Sequence, residues 1–421
     1  MPLLHCILFS TTLPLLVFSL PATPSNSSTP SIPTSETASP SGGSPFSTSA
    51  PSSWQHPGFV ISTPQLDFVK SQLSGKAQPW TDAYNKMLGD KDKYGAYVSA
   101  TRSSKARATV ECGPVTNPDI GCTDERGDAL AAWSNALAGY LTGNEEYTKN
   151  AILYMNKWST VVKSHTNANA VLQTAWSGAS WARAGELVRH TTTGLWEDAD
   201  ITSFENMLRN VYLPACKDGT VKAPNWDLAC LNTAVGIAVF LEDKEEYEHA
   251  MDVFQKAVPT IIYMEADGNL PLAREGESRD KKTLQGAWYN QQTWGNSGQS
   301  GQETCRDLTH TGYSISSISH ILETSRIQGS DQYNTDIGDR LKASLEFHTG
   351  LADSSSAPSW LCSGKPSRVL EYVTEIGYNA FVTRGGASMP QTEKYTEKER
   401  PQGTNGLFYG WETLTHAGNK A

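Results

Sequence analysis

Residues 302–313, QETCRDLTHTGY, place an arginine, a histidine and a tyrosine within a short stretch. At about 100° per residue on one continuous helix, five polar side chains of this stretch would share roughly a third of the circumference. They are Gln302, Glu303, Arg306, His310 and Tyr313. Apolar residues recur every seven positions on the opposite side, starting with Leu308. The stretch therefore predicts a helix with a buried back and a polar front.

The polar front suits β-elimination on a uronic acid residue of a polysaccharide. The Arg306 guanidinium can neutralise the sugar carboxylate, which makes the C5 proton acidic. A nearby guanidinium also favours the phenolate form of a tyrosine. We expect Tyr313 to act as base and as acid for the departing O4 oxygen, with His310 sharing the work. The competing interpretation is a polar helix face whose groups only satisfy one another.

A second segment, APNWDLACLNTA, predicts a helix that starts close to Asn225. Asn225 could simply cap that helix. The start of a helix also favours anions, so an asparagine there, next to Trp226, could equally hold a carboxylate. The sequence leaves both interpretations open.

Aromatic residues are plentiful, with 12 tryptophans in the chain. Aromatic faces can stack on sugar rings, although most tryptophans belong to protein cores. We expect a few to line a sugar-binding cleft, and the candidates are Trp176, Trp226, Trp288, Tyr289 and Trp294.

The elements that would position these residues are helical hairpins. Residues 128–158 and 232–258 both predict two amphipathic helices joined by a short acidic turn, YLTGNEEY in the first and FLEDKEEY in the second. Residues 319–347 are a looser third copy, and residues 171–190 predict another helix with small residues on one side. Such hairpins must stack on one another, as an open solenoid or a closed (α/α) toroid. We expect an all-α dominated fold with a few extended segments near the C terminus, and a long polar loop over 267–301.

The N-terminal region predicts export. Residues 1–22 are an apolar run that ends in small residues, typical of a cleaved signal peptide. Residues 23–53 are mostly Ser, Thr and Pro with the sequon at Asn26, which predicts a disordered, glycosylated linker. No later stretch reaches transmembrane length. We therefore expect a secreted, monomeric catalytic domain over 54–421.

Charge and cysteine content narrow the possible partners. The formal net charge of −10 provides no basic surface for nucleic acid. Beyond Cys6, six cysteines remain for disulfides, of which Cys112 and Cys122 are close enough for a local bridge. The other pairings stay open. No spacing among the cysteines resembles a zinc site.

The segments NWDLA, QETCRDLTHTGY and FYGWETLTH resemble the alginate-lyase-type polysaccharide lyases, from about His56 to the C terminus. This resemblance implies an (α/α) toroid that cleaves β-linked poly-uronates such as mannuronan or glucuronan without an obligatory metal. It therefore implies no metal and no cofactor, and we expect EDTA not to inactivate the protein. It implies that Asn225 and Arg306 neutralise the carboxylate and that Tyr313 is the leading base and acid.

The resemblance also bears on the partner base and the cleft. Some relatives have a catalytic histidine directly after the asparagine, where this chain has Trp226. That departure leaves the partner base open, with His310 first and His416 second, ahead of His165 and His190. Cleft-facing positions in such toroids are matched by Gln173 and Trp176. We also expect substrate contacts from Gln302, Glu303 and His416.

Two other functions compete with a lyase. A glycoside hydrolase would need two carboxylates on opposite walls of a cleft, whereas Glu303 and Asp307 lie one helical turn apart. A non-catalytic carbohydrate-binding protein would use the tryptophans and leave Arg306 and Tyr313 without a role.

Overall fold

The computed structural model describes residues 44–90, 94–96, 103–220, 223–295 and 301–421. The predicted signal peptide, the sequon and most of the predicted linker lie outside these residues. The first seven α-helices are α1 (Thr63–Ser74), α2 (Trp80–Gly89), α3 (Cys122–Thr142), α4 (Glu145–Val161), α5 (Ala170–Thr191), α6 (Asp198–Met207) and α7 (Leu213–Cys216). The remainder are α8 (Pro224–Leu241), α9 (Lys244–Ile261), α10 (Lys281–Ala287), α11 (Leu308–Ile327), α12 (Asp336–Asp353), α13 (Glu375–Tyr378), α14 (Pro390–Glu399) and α15 (Glu412–His416). No described helix has the length and apolar character needed to cross a membrane.

Three short strands form one small sheet in the order β2-β1-β3. They are β1 (Thr109–Cys112), β2 (Asp119–Ile120) and β3 (Ser164–Thr166). β1 pairs antiparallel with β2 and parallel with β3. The predicted Cys112–Cys122 disulfide is present and joins the end of β1 to the first residue of α3. The sheet and this bridge therefore fix where α3 begins.

Helices α3, α5, α8 and α11 pack side by side as the inner wall. Apart from Trp226 and Leu241, every residue of α8 is buried, as expected of a helix that is apolar on all sides. Gly178 of α5 packs against Thr233 of α8 and against Tyr212. A Cβ atom at position 178 would lie 2.6 Å from the Thr233 methyl carbon, which is too close. This close approach explains the small residues along α5.

Helices α4, α9 and α12 pack outside the inner wall, each against the inner helix that precedes it. The connections from α3 to α4 and from α8 to α9 have the same local geometry. Gly143 and Glu242 end α3 and α8 in the left-handed conformation, at φ 70° and 52°. Asn144 and Asp243 then cap the next helices through their side chains. The predicted hairpin repeats are confirmed, and their similar turns have a common geometric cause.

The ring closes where the two ends of the domain meet. Nε2 of His416 lies 3.0 Å from the carbonyl oxygen of Val60, and Nδ2 of Asn419 donates to the carbonyl oxygen of Gln65 at 3.0 Å. α11 contacts α13, α13 contacts α15, and α15 contacts α1 and α2. The fold is therefore an (α/α) toroid rather than an open solenoid.

The structure differs from the sequence-based expectations in three places. Residues 44–53 contain no helix or strand, yet they lie on the domain, with the Ser47 amide donating to Gln332 at 3.1 Å. The ordered chain therefore starts before residue 54. The expected long loop over 267–301 contains α10. Among the described residues after 354, the expected extended segments are loops between short helices, with no strand.

Two neutral histidines are built into the core of the toroid. Burial lowers the pKa of His348 and of His416 to about 4. The unfolded chain binds more protons than the folded chain between about pH 6.5 and pH 4, so stability is lost as the pH falls through this window. We expect each histidine to lower the free energy of unfolding by roughly 3 kcal/mol at pH 4 compared with neutral pH. A thermal midpoint that falls between pH 7 and pH 4.5 measures this loss. His348→Gln should flatten this dependence, and a midpoint that stays constant would contradict the assignment.

Candidate active site

The first turns of α3, α5 and α8 and the turn ahead of α11 meet at one end of the toroid. Nε2 of Gln173 in α5 donates to the carbonyl oxygen of Cys122 at the start of α3, at 3.0 Å. Trp176 of α5 and Trp226 of α8 pack against the same small apolar cluster. Asn225 of α8 is hydrogen-bonded to the turn ahead of α11. The positive ends of several helix dipoles therefore face one region, which favours an anionic ligand.

α11 begins at Leu308, so the expectation of one continuous helix over 302–313 is wrong for its first half. Asp307 is the N-cap, and its carboxylate accepts a hydrogen bond from the backbone nitrogen of His310 at 2.8 Å. The pattern of an aspartate three residues before a helical histidine could have revealed this boundary. Leu308, Ile315 and Leu322 are buried as predicted.

The turn ahead of α11 is held from several sides. A disulfide joins Cys305 to Cys362. Oγ1 of Thr304 lies 2.8 Å from Nε2 of the buried His348. The backbone nitrogen of Gln302 donates to the carbonyl oxygen of Ile261 at 2.7 Å. These contacts fix the turn that carries Glu303 and Arg306.

Glu303 connects Asn225 to Arg306. Its carboxylate is 1% exposed and accepts hydrogen bonds from the backbone nitrogen and Nδ2 of Asn225 at 2.9 and 2.8 Å. Nη1 of Arg306 donates to the same carboxylate at 2.8 Å. The N-cap of α8 is Ala223, so Asn225 lies inside the first turn and does not cap the helix. The Glu303 carboxylate is engaged by these three hydrogen bonds, so it orients Asn225 and Arg306 and does not itself bind substrate.

Asp307 and His310 form a carboxylate–imidazole pair. Nδ1 of His310 lies 2.7 and 2.8 Å from the two carboxylate oxygens of Asp307. Burial by itself would raise the pKa of Asp307, but the hydrogen bonds from His310 hold that pKa below its usual value. An ionised carboxylate on Nδ1 keeps the proton there and leaves Nε2 as the basic nitrogen. The pair is therefore equipped to take up a proton.

Tyr313 lies one turn further along α11. Its ring centroid is 5.5 Å from that of His310, and its hydroxyl oxygen accepts a hydrogen bond from Nδ2 of Asn405 at 3.1 Å. Burial, followed by the charge of Glu371, raises the pKa of Tyr313 above its usual value, and the opposing effect of Arg306 is smaller. Arg306 therefore favours the phenolate, as expected, but burial and Glu371 outweigh it and the pKa of Tyr313 rises overall. Tyr313 is held as a protonated phenol, which suits an acid.

Arg126 belongs to this end of the toroid and was not found from the sequence. Its Nη1 donates to Oε1 of Gln173, its Nη2 donates to Thr123 at 3.2 Å, and its guanidinium lies 5.4 Å from the Trp176 ring centroid. Gln173 is 1% exposed, with its amide bonded within the protein, so it positions Arg126 and does not reach a ligand. A basic residue near the start of a helix opposes the helix dipole, and this feature of the sequence could have drawn attention to Arg126.

Partly exposed aromatic groups and unpaired polar atoms lie around this region. Trp176 and Trp226 are half-buried, and residue Tyr289 is 39% exposed. Hydrogen bonding to Arg306 places Tyr289 next to that guanidinium. Within the described chain, Nε1 of Trp176, Oδ1 of Asn225 and Oε1 of Gln302 have no hydrogen-bond partner. Buried polar atoms need partners, so this set fits a ligand rich in hydroxyl groups.

Two tryptophan candidates and one histidine candidate do not belong to this region. Trp288 is 1% exposed and packs edge-to-face on Trp294, with ring centroids 6.0 Å apart, in a separate small core. His416 is 1% exposed, and its nitrogens contact the Thr415 hydroxyl and the Val60 carbonyl oxygen at the ring closure. The expectation that Trp288 and His416 bind substrate is corrected by this burial.

The two less favoured histidines also have other surroundings. Nε2 of His165 is bonded to the fully buried Glu125 at 2.8 Å. His190 lies near the C-terminal end of α5, and at 1.5 Å per residue that is about 25 Å along the helix from Gln173. His310 is therefore the one of the predicted histidines that lies beside both Arg306 and Tyr313.

Both carboxylates that were considered for a hydrolase are hydrogen-bonded to neighbouring side chains. Glu303 holds Asn225 and Arg306, and Asp307 holds His310. Neither is arranged as one of two opposing groups across a cleft, which hydrolysis of a glycosidic bond requires. The arrangement matches proton transfer next to a neutralised acid instead.

Comparison with known structures identifies the fold. The crystal structure of alginate lyase A1-III from Sphingomonas species A1 superposes with a TM-score of 0.56 at 14% identity, covering 85% of this chain and 95% of that one. A variant of that enzyme complexed with a tetrasaccharide gives 0.53 at 14% identity, with the same coverage. An alginate lyase from Bacteroides ovatus gives 0.50 at 12% identity, covering 86% of this chain and 99% of that one.

Comparison of sequences identifies the family. Among curated protein sequences, none matches this chain. The family model described as alginate lyase matches residues 84–347, which include Asn225 and the whole segment from Arg306 to Tyr313. The matched range covers more than half of the chain. The chain therefore belongs to the alginate lyase family and is a polysaccharide lyase.

Proposed function

We propose that this protein is a secreted lyase that cleaves a β-1,4-linked poly-uronate by β-elimination and leaves a C4=C5 double bond. The observation that carries the proposal is the juxtaposition of Arg306, the Asp307–His310 pair and Tyr313 at converging helix N-termini. Each of these groups meets one requirement of the reaction. No group in the set is needed for hydrolysis.

Arg306 and the helix N-termini neutralise the uronate carboxylate. The Arg306 side chain is 31% exposed, and Glu303 occupies one arm of its fork, which leaves further N–H groups for a ligand. Neutralising the carboxylate lowers the pKa of the C5 proton, because the negative charge that develops there in the transition state spreads onto the carboxylate. Asn225 supports this step through Glu303 and offers its Oδ1 to a sugar hydroxyl.

His310 and Tyr313 divide the proton transfers in this proposal. Nε2 of His310 takes the proton from C5, and the electron pair of the broken C–H bond forms the C4=C5 double bond. The C4–O4 bond breaks, and the Tyr313 hydroxyl gives its proton to O4. Solvent exchange then returns a proton to Tyr313 and removes one from His310. The raised pKa of Tyr313 supports the acid role and argues against the combined base-and-acid role expected from the sequence.

Aromatic rings at the same end would hold the polymer. Trp176 exposes part of its ring near Arg126, and Tyr289 does so near Arg306. Trp226 is also partly exposed and packs on the same small apolar cluster as Trp176. Stacking of pyranose rings on these faces, with acidic groups near the arginines, suits a poly-uronate. The names of the structural neighbours point to alginate, so mannuronan is the first substrate to try and glucuronan the second.

A product assay tests the proposal. Mannuronan, guluronan and glucuronan are incubated separately with the purified protein, and absorbance near 230 nm and reducing ends are followed together. We expect one polymer to yield both signals in equal molar amounts, because each elimination creates one conjugated double bond and one reducing end. Reducing ends without absorbance would indicate a hydrolase, and binding without either signal would indicate a carbohydrate-binding protein.

Export and assembly are part of the proposal. The apolar run over residues 1–22 supports cleavage near Ala22, and the Ser/Thr/Pro-rich composition that follows supports a glycosylated linker. N-terminal sequencing of protein collected from the medium tests the cleavage, and mass measurement before and after deglycosylation tests the glycans. The domain needs no second copy to complete the site, which supports a monomer, and light scattering tests this.

A further inference from the structure

A cluster of metal-ligating side chains lies at the opposite end of α5 from the candidate active site. It consists of His56, Glu186 and His190, whose ligand atoms all lie within 4.8 Å of one another. Glu186 and His190 are four residues apart on α5, so both project from the same face of the helix. Nδ1 of His56 lies 3.0 Å from the Glu186 carboxylate, and Nε2 of His190 lies 3.6 Å from it.

A salt bridge between one histidine and one glutamate does not account for the cluster. The imidazole rings of His56 and His190 are stacked, with centroids 3.9 Å apart and planes 7° apart. Two imidazolium ions at that distance would repel each other, whereas two neutral imidazoles can share one cation. Nε2 of His56 is buried without a hydrogen bond among the described residues, and its nearest carboxylate oxygen is 3.5 Å away in Glu242.

The electrostatic surroundings favour a cation. Glu186 is 1% exposed and Glu242 lies at the C-terminal end of α8, so two carboxylates face two imidazoles. The C-terminal ends of α5 and α8 add the negative ends of their helix dipoles. Arg189 lowers the pKa of both histidines, and its own Nη1 is bonded to Glu205 at 2.7 Å.

We propose that His56, Glu186 and His190 bind one divalent transition-metal ion of the zinc type, with Glu242 or water as the fourth ligand. Imidazole together with one carboxylate selects zinc, cobalt, nickel or copper over magnesium and calcium, which prefer oxygen ligands. In a tetrahedral site with bonds of about 2.0–2.1 Å, two donor atoms are about 3.4 Å apart. The donor atoms of the cluster lie within 4.8 Å of one another, so metal binding would draw them together by up to about 1.4 Å, mainly through rotation of the partly exposed His190.

The ion would act as a structural clamp. His56 belongs to the N-terminal segment, and the adjacent Gly58 amide donates to the same Glu186 carboxylate at 2.9 Å. Metal binding would tie this segment to the C-terminal end of α5, about 20 Å along the helix from Gln173, by the rise of 1.5 Å per residue. Binding should therefore raise stability and leave the chemistry unaffected. It should weaken in acid, because both imidazoles must be unprotonated to bind.

The test uses the full-length chain without a polyhistidine tag, stripped with EDTA and dialysed. Zinc chloride at about 100 times the dissociation constant should raise the thermal midpoint by roughly 3–5 °C. Cobalt(II) should bind one ion per chain and give visible d–d absorption of a four-coordinate site. His190→Gln should lose the cobalt absorption and most of the zinc-dependent shift. The matched control is His249→Gln, since His249 is an exposed histidine paired with Asp218 at 2.7 Å, and it should keep both.

Three results would overturn the proposal. The first is an absence of any metal-dependent shift in the parent protein. The second is an equal shift in His190→Gln, which would place the ion elsewhere. The third is a loss of turnover after EDTA at a temperature where the fold is intact, because a clamp at this end has no part in the reaction. Circular dichroism, measured alongside the assay, shows whether the fold is intact after EDTA treatment. A protein that never shows lyase activity would contradict the proposed function, whereas activity that is present and then lost with EDTA would contradict the structural role of the metal.

Discussion

Tyr313→Phe should lower kcat by about 10²–10⁴-fold while KM changes by less than about threefold. Loss of a positioned acid removes roughly 10²–10⁴-fold of rate, and O4 is a poor leaving group without a proton. The ring stays in place in the phenylalanine variant, and only the Asn405 amide loses a partner, so the free energy of unfolding should fall by about 1 kcal/mol. Steady-state kinetics by absorbance near 230 nm, combined with thermal unfolding, measure both effects.

Tyr409→Phe is the matched control for this variant. Tyr409 packs on Tyr313 with ring centroids 6.3 Å apart, is fully buried, and its hydroxyl has no hydrogen-bond partner among the described residues. The Tyr409→Phe variant should retain most of the activity. Because the pKa of Tyr313 is raised, the parent enzyme should show no rise in rate attributable to phenolate between pH 8 and pH 10. If Tyr313→Phe kept more than a tenth of kcat, another group would have to protonate O4.

His310→Ala should lower kcat by about 10²–10⁴-fold, and added imidazole should restore part of the loss. The physical reason is that Asp307 holds Nδ1 of His310 and leaves Nε2 to take the C5 proton. Rescue should grow with the concentration of neutral imidazole and therefore with pH through the imidazole pKa. Rates at fixed polymer concentration and varied imidazole concentration measure it.

His249→Ala serves as the control, since His249 lies on the surface and is paired with Asp218. The His249→Ala variant should have an unchanged kcat, and added imidazole should not increase its rate. A slow His310→Ala that does not respond to imidazole, with intact binding, would mean that His310 positions a neighbour and that a different group takes the proton. Near-normal activity of His310→Ala would remove it from the mechanism altogether.

The helical hairpins were predictable because their signals are local. The apolar period and the short acidic turns of α3–α4 and α8–α9 depend on residues close in sequence, and the structure has these hairpins at nearly the predicted positions. The start of α11 was missed although Asp307 is a good N-cap, because a helical period alone does not show where a helix begins. The polar groups of this stretch still converge, since the turn before the helix directs Arg306 to the same side.

The properties that depend on burial could not be read from the sequence. The sign of the Tyr313 pKa shift follows from desolvation by residues such as Phe408 and Tyr409, nearly a hundred positions later. Trp288 and His416 were equally plausible as ligand contacts and as core residues until tertiary packing decided between them. Asn405 had no signal at all, because only the fold brings its amide to the Tyr313 hydroxyl.

The closure of the ring by both chain ends limits where this enzyme can be shortened. The family match stops at residue 347, yet Asn405 and the contacts of His416 and Asn419 lie beyond that point. A fragment cut to the matched range would retain Arg306, His310 and Tyr313 but lose the amide on the Tyr313 hydroxyl and the contacts that join α1 to α15. The smallest unit to produce and crystallise therefore extends from near Ser44 to Ala421, and a homologue truncated after the matched range should be regarded as incomplete.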